Sequence, residues 1–204
     1  MTPEDWEIVD KAFQRALALD GAEQEAFLEA FEAKGPIDIL QIDAHIDWRD
    51  SIDGEAKGYS STMIRASENK FVRSITQIGM RGVGSAREQE VAKAQEWGAK
   101  LITVRQVREM GVAGVVDLIP AGGNLVIQID CDAFDTSVCP AVNAPTPGGF
   151  QFEELSQIVL NAIAARNTVG FSIVELAPAL DHNKISANVA ARITCNAIGA
   201  IART

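Results

Sequence analysis

Residues 37–47 read IDILQIDAHID, a mainly apolar run followed at once by a group of polar side chains. The run is too short for a helix and is typical of a buried strand in a parallel sheet covered by helices. Behind it, Asp43, His45 and Asp47 stand at every second position, so an extended chain places them on one side. Ligands of such sheets bind beyond the carboxyl ends of the strands, and the segment therefore predicts a functional site.

A second stretch of the same kind lies at residues 124–135, NLVIQIDCDAFD. Asp130 and Asp132 follow its apolar part at alternate positions, and Asp135 comes three residues later. Cys131 alternates to the opposite side and is expected in the core. If the two strands are neighbours in the sheet, the carboxylates of both stretches meet in one small volume.

Strands and helices alternate from residue 36 to the end, which predicts an α/β fold, a three-layer α/β/α arrangement with a mainly parallel sheet. Further strands are expected at residues 74–80, 100–104 and 169–176. Helices are expected at residues 85–97, 105–110, 112–118, 152–166 and 186–203. The first of these helices is assigned from a capping box formed by Ser85 and Glu88.

Two segments fall outside this alternation. Residues 3–34 show helical spacing up to Gly35-Pro36, so we divide the chain into a helical N-terminal extension, 1–34, and an α/β domain, 35–204. Residues 48–62 are polar and aperiodic and are expected to form a loop over the site.

Composition limits the partners. The 204 residues carry 18 Lys and Arg against 28 Asp and Glu, a net charge of −10, which argues against nucleic acid and against an anionic membrane surface. Three Cys without a C-x-x-C pair indicate a reducing compartment. No apolar run is long enough to span a membrane, and the acidic start is unlike a signal peptide. We expect a cytoplasmic protein.

The two acidic stretches point to a cation. Like charges crowded at strand ends repel one another, and divalent ions remove that cost. Carboxylates with one imidazole suit Mn²⁺, Mg²⁺ or Zn²⁺, and this number of ligands suits a pair of ions about 3.5–4 Å apart. The competing interpretation is a set of solvated acids with turn and cap roles.

Three motifs resemble those of the ureohydrolases, the family of arginase, agmatinase and guanidinobutyrase. They are QIDAHIDWRD at 41–50, IDCDAFD at 129–135 followed by PTPGG at 145–149, and VELAP at 174–178. The resemblance runs from about residue 28 to the C-terminus. The WRD segment at 48–50 and RGVGSAR at 81–87 are closer to the agmatinase and guanidinobutyrase branch.

The resemblance implies an arginase-like fold with two Mn²⁺ ions. Asp43 and Asp130 would each bridge the ions, Asp47 would bind one of them, and His45 and Asp132 would bind the other. A hydroxide held between the ions would attack the guanidinium carbon of the substrate.

The resemblance also assigns the catalytic and substrate-binding residues. Asp47 would move a proton, Glu175 would hold the cationic guanidinium group, and Tyr59 would donate a hydrogen bond to the substrate.

The chain departs from the family pattern in several places. Relatives carry an earlier metal ligand, usually His, for which Asp20 is a poor counterpart, and they have strands before residue 28. The resemblance therefore predicts a chain that is truncated or replaced at its N-terminus and lacks the first strands. Lys184 stands where relatives tend to have Gly, and His182 is expected on the surface.

Three functions stay open. The first is Mn²⁺-dependent hydrolysis of a small cationic guanidino compound, of the agmatine or guanidinobutyrate type, to an amine and urea. The second is an inactive or weak ureohydrolase fragment that acts as a binding or oligomer partner. The third is a dinuclear phosphoesterase, disfavoured because Arg49 is the one basic residue close to the motifs. A homo-oligomer is a further expectation.

Overall fold

Strands and helices alternate along residues 35–204, which are the residues that the computed structural model describes. The strands are β1 (Ile37–Ile42), β2 (Val72–Met80), β3 (Lys100–Thr103), β4 (Asn124–Asp130) and β5 (Asn167–Val174). The helices are α1 (Thr62–Ser67), α2 (Glu88–Trp97), α3 (Val104–Leu118), α4 (Phe152–Ala165) and α5 (Ile185–Ile201). The helical extension expected over residues 1–34, with Asp20, lies outside the described residues.

The five strands form one parallel sheet in the order β3-β2-β1-β4-β5. From β1 the chain moves outward through β2 and β3, and it then returns to the other side of β1 to form β4 and β5. In register, Ile42 of β1 lies opposite Ile78 and Ile129 of its two neighbours. The strand order therefore reverses between β1 and β4, which is where ligands of open α/β sheets bind.

Helices cover both faces of the sheet. On one face, α3, α4 and α5 bury a continuous apolar core against the central strands, including Leu40, Ile78 and Ile127. On the other face, Trp48 packs against Trp97 of α2 with ring centroids 6.0 Å apart. The α/β/α arrangement predicted from the sequence is confirmed. Within residues 35–204, no helix combines the length and the apolarity needed to cross a membrane.

Two local expectations need correction. The helix predicted from Ser85 begins at Glu88, because the amide of Arg87 donates to the Glu90 carboxylate at 2.9 Å while the Ser85 hydroxyl donates to the Gly82 carbonyl. The segment expected to be a loop ends in α1, which the sequence pattern did not reveal.

The break between the two short helices predicted at 105–118 is present inside α3. Gly111 there has φ 72° and ψ 176°, a conformation that only glycine adopts without strain.

Candidate metal centre

Three of the predicted ligands touch directly at the carboxyl edge of the sheet. His45 Nδ1 lies 3.0 Å from Asp132 Oδ2 and 3.4 Å from Asp43 Oδ1, so the loops after β1 and β4 meet here. One ligand atom from each residue fits within 4.8 Å of the others. The amide of Ala44 donates to Asp132 Oδ1 at 3.2 Å and links the two loops a second time.

Asp130 joins this triad from the end of β4. Its Oδ1 accepts the amide of Asp132 at 2.8 Å. Burial, and then the charges of Asp43 and Asp132, raise the pKa of Asp130 to about 10. The carboxyl therefore keeps a proton at neutral pH when no cation is near, because ionisation would add a third buried negative charge.

Asp47 lies in the same cavity on a strained stretch of backbone. Its φ is 54°, in the left-handed region that non-glycine residues seldom adopt. Its Oδ2 accepts hydrogen bonds from Gln41 Nε2 at 3.1 Å and from the Thr62 hydroxyl at 2.8 Å. Burial and the nearby Asp43 raise the pKa of Asp47 to about 7.

A chain of buried amides orients these carboxylates, and the sequence reading missed it. Trp48 Nε1 donates to Gln77 Oε1 at 2.6 Å, and Gln77 in turn donates to Gln41 and to the Ile46 carbonyl. Gln41 Nε2 donates to Asp43 Oδ2 at 2.8 Å as well as to Asp47. The signal in the sequence was a Gln-Ile pair in three of the predicted strands, at 41–42, 77–78 and 128–129, and the structure places the three Gln in one register row.

Arg81, which directly follows β2, ties the loops around the site together. Its guanidinium donates to the carbonyls of Asp132 at 2.6 Å, Thr146 at 2.7 Å and Phe134 at 3.1 Å. It also donates to the Gly79 carbonyl on its own strand. The contact fixes the backbone of Asp132 to the end of β2. The spacing of residues in the sequence did not predict it.

Asp135 has a structural part in the same loops. Its carboxylate accepts from the Ser137 hydroxyl and amide and from the amides of Gly148 and Gly149. These bonds, those of Ser137 first, lower the pKa of Asp135 to about 2. The aspartate and the P-G-G segment of the second motif thus contact each other directly.

A cavity of about 530 Å³ opens over the cluster. Its walls include the proposed ligands His45, Asp47, Asp130 and Asp132. Glu175, the first residue after β5, lines the same cavity and has a left-handed backbone with φ 60°. Tyr59 lies at the rim and is 72% exposed.

A cationic and an anionic side chain outside the predicted set also line this cavity. Arg49 Nε donates to Glu90 Oε1 at 2.9 Å, and the Arg87 amide donates to Glu90 Oε2. Burial raises the pKa of Glu90, but its bonds to Arg49 and Arg87 outweigh burial and hold that pKa below its ordinary value.

The donor set fits a divalent cation. Hydrogen bonds that the imidazole donates to Asp132 and Asp43 raise the pKa of His45 to about 10, so the imidazole supplies a positive charge between them. Burial raises the pKa of Asp43 to about 6. The raised pKa values mark a site that favours positive charge, and carboxylate oxygens with one imidazole are ligands that Mn²⁺ accepts.

The structure also describes three residues that the sequence analysis mentioned outside the ligand set. Cys131 is fully buried in the core, as strand alternation predicted, and His182 is exposed. Lys184, just before α5, has φ 57°, which explains why a glycine would suit that position.

Known proteins match this chain in sequence and in structure. Proclavaminate amidinohydrolase of Streptomyces clavuligerus is 28% identical over 167 residues, which are 79% of this chain and 53% of that protein. N(1)-aminopropylagmatine ureohydrolase of Thermococcus kodakarensis is 28% identical over 198 residues, 97% of this chain and 66% of that protein. The solved structure of the Streptomyces enzyme superposes with a TM-score of 0.76 at 26% identity, covering 91% of this chain and 62% of that one.

The chain therefore spans about half the length of the first of these relatives. The sequence model of one family, described as the arginase family, matches residues 21–199, which is most of the chain. The fold and this match agree with the resemblance seen in the motifs. The chain belongs to the arginase family.

Proposed function

We propose that this chain carries the site of a Mn²⁺-dependent amidinohydrolase that cleaves a linear guanidino compound of the agmatine or guanidinobutyrate type. The observation that carries the proposal is the triad of Asp43, His45 and Asp132, of which His45 and Asp132 line the cavity that Glu175 also lines. Membership of the arginase family and the match to an aminopropylagmatine ureohydrolase support the same reaction class.

In this proposal Asp43, His45, Asp47, Asp130 and Asp132 would together hold two Mn²⁺ ions. When bound, the pair of ions supplies a water acidified enough to act as nucleophile near neutral pH.

The other residues act on the substrate. Glu175 pairs with the guanidinium group and holds its carbon over the metal ligands, since a carboxylate and a guanidinium form a charge-assisted pair. Tyr59, at the rim, donates a hydrogen bond to the rest of the substrate.

The reaction adds water to the guanidinium carbon and breaks its bond to the substituted nitrogen. That nitrogen leaves as an amine after it takes up a proton, and the carbon leaves as urea. In this proposal Asp47 carries this proton, which is supported by its position on the cavity wall and by the hydrogen bonds that its carboxylate accepts from Gln41 and Thr62.

Metal counting and urea release test the proposal together. Purified protein with added Mn²⁺ should bind two ions per chain and release urea from agmatine or 4-guanidinobutyrate. Asp130→Ala should lose both ions and the activity, whereas Asp117→Ala, at an exposed acid on α3, should change neither.

Absence of urea from every guanidino compound, with one ion or none bound, would contradict the enzyme. That outcome would favour the alternative of an inactive ureohydrolase fragment that serves as a binding or oligomer partner.

A further inference from the structure

A guanidinium group with unpaired terminal nitrogens lines the cavity from the loop after β1. Arg49 lies two residues beyond Asp47, and its amide donates to the Ser60 carbonyl at 3.0 Å. Its side chain is bonded through Nε to Glu90. Within residues 35–204, neither Nη1 nor Nη2 donates to another atom, so four of the five N–H donors of Arg49 remain for a ligand.

Glu90 pairs with this arginine through Nε. Glu90 is 8% exposed, and both of its oxygens are engaged, Oε1 by Arg49 and Oε2 by the Arg87 amide. The pair therefore restrains the Arg49 guanidinium through Nε, while Arg49 lines the cavity and its two terminal nitrogens have no hydrogen-bond partner among residues 35–204. The charge of Glu90 is thus paired with Arg49, which makes it a weaker partner for a cationic group of the substrate than an unpaired carboxylate would be.

The cavity wall carries charged side chains of both signs. Glu175 and the acidic cluster suit the guanidinium end of a substrate. Apart from His45, Arg49 is the one cationic side chain among the described residues that line the wall. A planar guanidinium with its terminal nitrogens free binds a carboxylate through two parallel hydrogen bonds. An ammonium group placed at the same point would be repelled.

We infer that Arg49 binds the tail of the substrate and that this tail is a carboxylate. The substrate class is then an ω-guanidino carboxylic acid, such as 4-guanidinobutyrate, and not a guanidino amine such as agmatine. The inference rests on the proposed function, and it adds the chemical class of the substrate to it.

Comparing the two substrates tests the inference. The unchanged protein should show a higher kcat/KM for 4-guanidinobutyrate than for agmatine. The double variant R49Q/E90Q removes the cation without leaving Glu90 unpaired, and it should lose roughly 10- to 100-fold in kcat/KM on the guanidino acid. On agmatine it should change little or improve. The control is Arg87→Gln, because that side chain lies beside Glu90 but outside the cavity.

A preference for agmatine in the unchanged protein, or an equal loss on both substrates, would overturn the role of Arg49 while leaving the hydrolase intact. If no guanidino compound is hydrolysed, the proposed function fails, and calorimetry on the Mn²⁺-free protein still decides the inference. Tighter binding of 4-guanidinobutyrate than of agmatine, abolished in R49Q/E90Q and kept in R87Q, would uphold it. Equal binding, or none, would reject it.

Discussion

Single side chains decide how the acidic cluster is held. Gln41 is buried in β1, yet its one amide nitrogen serves two carboxylates, Asp43 and Asp47, that belong to the proposed ligand set. Its oxygen accepts from Gln77, so the amide cannot rotate away without losing partners on both sides. Mutation of a group that holds metal ligands in place in this way commonly lowers metal affinity by roughly 10- to 100-fold.

We therefore expect Gln41→Leu to weaken Mn²⁺ binding by about tenfold, because the two carboxylates lose their common donor. Titration calorimetry measures the change. Gln128→Leu is the matched control, since Gln128 occupies the same register position on β4 and its Oε1 has no hydrogen-bond partner in the described part of the chain. Equal Mn²⁺ affinity in the two variants would contradict the role assigned to Gln41.

At the scale of elements, the site exists because loops from different strands are tied to one another. Arg81 donates to carbonyls on the loop after β4 and on the segment around Thr146, while its backbone continues β2. At the opposite end of the sheet, Arg73 pairs with the buried Asp38 and reaches the Ala121 carbonyl. The two arginines stabilise the same sheet, but only Arg81 touches the backbone of a proposed ligand, Asp132.

Arg81→Lys should lower the free energy of unfolding by about 2 kcal/mol, because one ammonium group cannot satisfy carbonyls that lie in several directions. It should also weaken Mn²⁺ binding, since Asp132 is no longer fixed to β2. Urea denaturation and a Mn²⁺ titration measure the two effects. Arg73→Lys should lower stability and leave Mn²⁺ affinity unchanged. If Arg73→Lys weakens Mn²⁺ binding as much as Arg81→Lys does, the loss of affinity follows from lower overall stability and not from the position of Asp132.

For the whole molecule, the buried cluster links stability to pH. Burial and neighbouring charges raise the pKa of Asp43 to about 6, of Asp47 to about 7 and of Asp130 to about 10, all from an ordinary value of 3.8. The folded protein thus keeps protons that the unfolded chain has released. The pKa of His45 is raised to about 10 from 6.5, so its stabilising contribution is complete below pH 6.5 and is lost as pH rises through 10. The aspartates and His45 therefore act in the same direction, and each makes the folded protein less stable as the pH rises.

Without metal, the protein should therefore become less stable from pH 6 to pH 9, by roughly 1 kcal/mol per pH unit for each proton involved. Mn²⁺ should raise the midpoint of thermal unfolding and remove this decline, because the ion replaces the protons. Asp130→Asn should make the metal-free decline shallower, because it removes one of the titrating groups, and it should abolish the Mn²⁺ effect. Scanning calorimetry with and without chelator measures all three, and a metal-free stability that rises with pH would refute the explanation.

Much of the fold was predictable because the hydrophobic pattern is strong. β1 is confirmed at the predicted residues, and the other strands and the helices of the α/β part differ from the prediction by a few residues at their ends. Helix α1 was missed because Thr62–Ser67 is short and follows a polar segment without periodicity. The start of α2 was misplaced because Glu90 caps it at the Arg87 amide, while the Ser85 hydroxyl bonds to the Gly82 carbonyl instead of capping a helix.

The sequence by itself determined that acidic residues follow two buried strands, since strand period and the run of apolar residues act locally. Only the tertiary structure decided that β1 and β4 are adjacent, that Asp132 meets His45, and that Glu175 opens on the same cavity. It likewise decided that Arg49 is held by Glu90 with its terminal nitrogens free. The physical reason is that strand order and loop contacts arise from burial and pairing between segments far apart in the chain, which no residue spacing records.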